Sequence, residues 1–207
     1  MKILEPSKLN LTSTILDHKV KSIYVASPHK GAGTTTCAYS LARALSESIS
    51  EKVILIDGNP GPNSLTEHLG LVDSLGFSDL ILSGGSGALR KAINTIDNEE
   101  FHVISAGQQV IETPMGGERP SLIQLIESLT SLYSYVIYDG PHIHKHNEPL
   151  ALAAAFDAVV LVLKTNETRW EVAKSAKEKL AQAGANVIGA IFNKRRYYVP
   201  QWVYDLL

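Results

Sequence analysis

The sequence predicts an α/β fold: a mostly parallel sheet with helices on both faces, in a single domain. Three observations lead there. Short apolar, β-branched runs alternate along the chain with longer segments of helical period. Several of these runs are apolar on consecutive residues, as strands covered on both faces are. A length of 207 residues, 44% of them apolar and 19% charged, suffices for one sizeable core and is short for two.

The strands are expected at residues 22–27 (SIYVAS), 52–57 (KVILID), 101–106 (FHVISA), 134–139 (SYVIYD), 158–164 (AVVLVLK) and 186–193 (NVIGAIFN). Between them, residues 35–48, 120–131 and 169–183 repeat apolar side chains three and four apart and predict helices. In the second of these, Leu122, Leu125, Ile126 and Leu129 form one stripe. From Gly58 to Gly87 the chain is rich in Gly, Ser, Asn and Pro, which predicts loops with one or two short helices. An N-terminal extension (1–20), a domain (21–194) and an aromatic tail (195–207) complete the expected organisation.

A net charge of -2 gives no broad electrostatic footprint for nucleic acid, and none is expected as a partner. The single cysteine, Cys37, cannot form an internal disulfide and reads as a small buried apolar residue in a reducing compartment. The opening MKILEPSKLNLTSTILDHKVK breaks every apolar run, so a secretory leader is not expected, and no run of apolar residues is long enough to span a bilayer. A cytoplasmic protein is expected, meeting the inner membrane peripherally through a partner.

The chemistry concentrates after the first strand, in HKGAGTTT. A phosphate loop works by converging backbone N–H groups on an anion while the next helix presents its positive end. Gly31 and Gly33 fall between a strand and a helix, where such a loop belongs. The full GxxxxGK[ST] pattern is not met: Pro28 takes the first glycine position and Thr34 the lysine position. Thr35 falls where a Mg²⁺-binding hydroxyl belongs, and as a helix N-cap it would be equally at home. Asp57 and Asp139 each close a buried strand at the edge where ligands of open α/β sheets bind. Either alone reads as a turn former; the pair beside a glycine loop points to a metal and phosphate site.

In this order the features resemble the P-loop ATPases of the MinD and ParA type and, within them, the bacterial tyrosine kinases of capsule and exopolysaccharide synthesis. Those kinases carry PGEGKS where this chain has KGAGTT, VLLIDADLRRP against VILIDGNPGPN, and YDYVIIDTPP against YSYVIYDGPH. The closing strand, helix and strand also correspond, ending at Asn193. The resemblance implies that the backbone of Gly31, Ala32, Gly33, Thr34, Thr35 and Thr36 holds the phosphates of ATP or ADP and that Thr35 faces Mg²⁺. It further implies that Asp57 and Asp139 orient metal and water or activate a hydroxyl, and that Asn193 contacts the base. A membrane-anchored polysaccharide chain-length or export protein is the implied partner, and a homo-oligomer the implied assembly.

The departures point to weaker chemistry. Thr34 replaces the lysine, Asn59 replaces a second carboxylate after Asp57, and EPSKLNLTSTILDH lacks the Arg-rich helix through which these kinases form rings. Lys30 could lend a compensating charge. A non-catalytic module that keeps the fold and partner surface, and a partition or localisation ATPase, are the other readings of the loop. A Rossmann oxidoreductase is a weaker one, because Thr36 stands at the final glycine of GxGxxG. His142, His144 and His146 read as a polar loop before a metal site, and Tyr197, Tyr198 and Tyr204 as packing or docking residues before phosphate acceptors.

Overall fold

The computed structural model describes residue 15 and residues 20–49, 51–82, 88–108, 119–143 and 148–194. The strands are β1 (Ser22–Ser27), β2 (Val53–Asp57), β3 (Ile93–Thr95), β4 (His102–Ile104), β5 (Tyr135–His142), β6 (Ala158–Lys164) and β7 (Val187–Asn193). They form one seven-stranded sheet in the order β3-β4-β2-β5-β1-β6-β7. All neighbours pair in parallel except β3 with β4. The helices are α1 (Thr34–Ile49), α2 (Leu65–His68), α3 (Phe77–Leu82), α4 (Leu89–Ala92), α5 (Arg119–Leu132), α6 (Glu148–Ala153) and α7 (Trp170–Gln182).

The two-residue period of the strands divides the core into two layers. Ile23, Val25, Val53, Leu55 and Ile137 pack with Cys37, Ala38, Leu41 and Leu45 of α1. Tyr24, Ala26, Ile54, Ile56 and Tyr138 face the other way, onto α5 and α7. The α5 stripe of Leu122, Leu125, Ile126 and Leu129 is buried there as expected, and α7 contributes the small residues Ala173 and Ala176 with Leu180. Gly184, at a φ of 87°, comes just after the end of α7, where the chain needs a left-handed residue.

Three local expectations need correction. The antiparallel strand β3 was not foreseen: three residues, half-buried or exposed at an edge, carry too short a pattern to read. Helices α4 and α6 were not foreseen either, for the same lack of length. The segment after Asp139, expected as an exposed loop, instead continues β5 through Gly140, Pro141 and His142, with His142 opposite Ser27. His144, His146 and the aromatic tail with Tyr197, Tyr198 and Tyr204 lie outside the described residues.

Candidate functional site

β1 lies between β5 and β6, so the chain leaving it enters the crevice where connections diverge to opposite sides of the sheet. The loop begins there, with Gly31 at a φ of 84° and Gly33 at 89°, backbone that a side chain would strain. Cys37 N–H donates to the Gly33 carbonyl at 3.0 Å, which makes Gly33 the residue that opens α1. Thr35 therefore sits inside the first turn, and helix capping is not its role. It is half-buried, whereas Thr34 at the lysine position is 8% exposed. Ala32 is buried, and Lys30 is exposed.

Asp57 and Asp139 face each other in register across β2 and β5. The parity that sends Leu55 and Ile137 toward α1 sends both carboxylates to that same layer, under the loop. Each is fully buried. Their surroundings nevertheless differ. Asp57 Oδ2 accepts from the Thr66 N–H at 2.7 Å and from its hydroxyl at 2.6 Å, and Oδ1 accepts from the Asn59 N–H at 3.0 Å. Thr66 Oγ1 in turn accepts from the Ala106 N–H at 2.8 Å, so this carboxylate ties β2 to α2 and to the end of β4.

Neither oxygen of Asp139 has a hydrogen-bond partner among the described residues. Burial, with the Asp57 charge adding to it, pushes its carboxyl up to about 8; the nearby Thr35 hydroxyl favours the ionised form without closing a bond of normal geometry. A buried carboxylate left without donors is costly. A divalent cation reverses that balance, because its charge favours ionisation. Asp139 with Thr35 therefore fits Mg²⁺, whereas the oxygens of Asp57 are already engaged.

The far side of the strand ends is filled by aromatic rings. Tyr24 and Tyr138 stack at 5.1 Å, with Phe156 and Phe77 against them. A Cβ at Gly58 would overlap the Tyr138 ring, and one at Gly140 would overlap Tyr24. The residue after each acid has no room for a side chain.

Asn193 is 6% exposed. Its Nδ2 donates to the Ala32 carbonyl at 2.9 Å and its Oδ1 accepts from the Lys194 N–H at 2.8 Å. A Cβ on Gly33 would overlap that same Nδ2. Lys194, which no sequence motif marks, donates from Nζ to the Gly31 carbonyl at 2.9 Å. Its place directly after a strand end on the ligand edge was the available signal. His29, at the start of the loop, is held by Thr168, with Nε2 2.7 Å from Oγ1. Cys37 is inert packing: burial, with the Asp139 charge adding and the Lys194 charge opposing, pushes its thiol up to about 12.

No family model matches the chain. The tyrosine-protein kinase YwqD of Bacillus subtilis is 25% identical over 195 residues, which cover 91% of this chain and 78% of the relative. Among solved structures, the chimerical protein CapA2B2 superposes with a TM-score of 0.79 at 23% identity, covering 90% of this chain and 83% of that one. The septum site-determining protein MinD from Pyrococcus horikoshii, solved with Mg-ADP, gives a TM-score of 0.66 at 21% identity, covering 90% and 77%. These structures share the fold, and relatives named as tyrosine-protein kinases share the sequence across most of both lengths. Over most of its length the chain is therefore similar in sequence to proteins named as tyrosine-protein kinases and shares its fold with CapA2B2 and MinD, while its glycine loop has threonine where the GxxxxGK[ST] pattern has lysine.

Proposed function

We propose that the protein binds ATP or ADP with Mg²⁺ in the loop after β1 and uses the nucleotide state to regulate a membrane-anchored partner of exopolysaccharide or capsule assembly. The observation that carries the nucleotide reading is the buried carboxylate of Asp139, without a partner among the described residues, under a glycine loop. In this reading Mg²⁺ would supply charge neutralisation of the phosphates. The backbone N–H groups of Gly31 to Thr36 would cradle them, and Thr35 and Asp139 would hold the cation. Asp57 would act at one remove, by fixing α2 and the end of β4.

The same residues support weak or absent turnover. Thr34 offers one neutral donor on a short stem, and a lost charge-assisted bond is worth about 1.5–3 kcal/mol. Losing one preorganised donor typically lowers a rate by roughly 10²–10³. The non-catalytic module is thus the second reading, favoured by Thr34 and by the engagement of Asp57 with three donors. Among the described residues no helix is long and apolar enough to cross a membrane, and contact with a bilayer is proposed to come through the partner.

Calorimetric titration with Mg-ADP and Mg-ATP, followed by phosphate release, tests this. The reading requires saturable binding that depends on Mg²⁺ and that Asp139→Asn abolishes or weakens strongly. Absence of binding at millimolar nucleotide would sink it. Phosphate release at the same rate in wild type and Thr34→Lys would argue against an impaired loop.

A further inference from the structure

We propose that Lys194 is the positive charge of the phosphate loop, supplied from the end of β7, and that with Asn193 it fastens the loop in its anion-binding shape. The inference rests on the nucleotide-binding reading above and names the residues that serve it.

Two consecutive carbonyls of the loop, those of Gly31 and Ala32, are each taken at 2.9 Å by the side chains of two consecutive residues, Lys194 and Asn193. Taking up these two carbonyls keeps them from turning into the loop, where their negative ends would repel an anion that the neighbouring N–H groups attract. Lys194 has a φ of 57°, a left-handed backbone that residues other than glycine rarely adopt, and its N–H is held by Asn193 Oδ1. Chain strain persists where the surroundings over-determine it, and such positions cluster at ligand clamps. The ammonium spends one of its three donors on Gly31 and is exposed, so the others can meet a phosphate oxygen. Lys30, the compensating charge suggested by the sequence, is exposed as well, but among the described residues its ammonium takes no loop carbonyl.

The test compares wild type, Lys194→Gln, Lys194→Arg, Lys30→Gln and Lys194→Gln combined with Thr34→Lys. Hydrogen exchange of the loop amides is followed without ligand, and Mg-ADP and pyrophosphate are titrated. Lys194→Gln should speed exchange in the loop and weaken both ligands by about tenfold, the loss of one charge-assisted contact. Lys194→Arg should retain the wild-type behaviour, Lys30→Gln should match wild type, and the added Thr34→Lys should restore pyrophosphate affinity. A Lys194→Gln protein that exchanges and binds as wild type overturns the inference, as does a loss carried by Lys30→Gln. If wild type binds neither ligand, the nucleotide reading has failed. Exchange then decides: unchanged rates in Lys194→Gln overturn the fastening role, and faster rates reversed by arginine uphold it.

Discussion

β2 and the first half of β5 are near twins in sequence, each an apolar run followed by aspartate and then glycine, and they lie side by side in register. Among the described residues, Asp57 is met by three donors and Asp139 by none. The difference comes from the path of the chain leaving each strand. After β2 it turns back at once, bringing Asn59 and Thr66 onto the carboxylate; after Asp139 it runs on as strand to His142 instead of folding back. The same residue in the same place is therefore a structural tie in one case and an unengaged carboxylate in the other.

The largest effect that would test this contrast is Asp57→Ala. It leaves two N–H groups and one hydroxyl without their acceptor, and we expect a loss of about 3 kcal/mol or more in urea unfolding. An effect below that of an ordinary surface substitution would mean that Asp57 is no tie. At Asp139 the sign reverses. A carboxyl raised to about 8 in the folded state, against an ordinary value near 4 when unfolded, keeps a proton that the unfolded chain releases. Its contribution to stability is complete below about pH 4 and declines as pH rises to about 8, by at most about 1.4 kcal/mol per pH unit. The difference between wild type and Asp139→Asn, followed by unfolding from pH 4 to 8 without Mg²⁺, should show that decline. At pH 8 the asparagine variant should be the more stable. A flat difference would remove the contrast.

Two smaller changes sharpen it. Thr66→Val removes a donor to Asp57 and the acceptor of Ala106 N–H, and should cost about 1–2 kcal/mol without altering Mg²⁺-dependent binding. Thr35→Ala removes the hydroxyl that favours ionised Asp139. It should leave stability nearly unchanged at pH 5 and move the Asp139 transition to higher pH, measured by the same difference titration.

Much of this site was legible in the sequence because period and register are. The alternation of β1, β2 and β5 sets which residues meet α1, and that parity alone brings Asp57 and Asp139 beneath the loop. What parity cannot report is which donors return to a buried acid, since Thr66 and Ala106 reach Asp57 through turns and a neighbouring strand. Lys194 was hidden for a similar reason: its contact with Gly31 spans most of the chain and depends on a left-handed backbone that no local pattern announces. The edge strand β3 and helix α6 were simply too short to carry a period.

The stacked tyrosines bear on any effort to convert this chain toward its kinase relatives. In the kinase pattern that the sequence resembles, isoleucine stands where Tyr138 is, alanine where Gly58 is and threonine where Gly140 is. Tyr138 occupies the space that a Cβ on Gly58 needs, and Tyr24 the space that one on Gly140 needs. These positions are therefore epistatic: Gly58→Ala is steric damage in this background and becomes admissible with Tyr138→Ile, as Gly140→Thr does only with a smaller residue at Tyr24. Moving the site toward that pattern will have to proceed by paired exchanges of volume across the sheet, and a scan of single substitutions would score the pattern's residues as harmful.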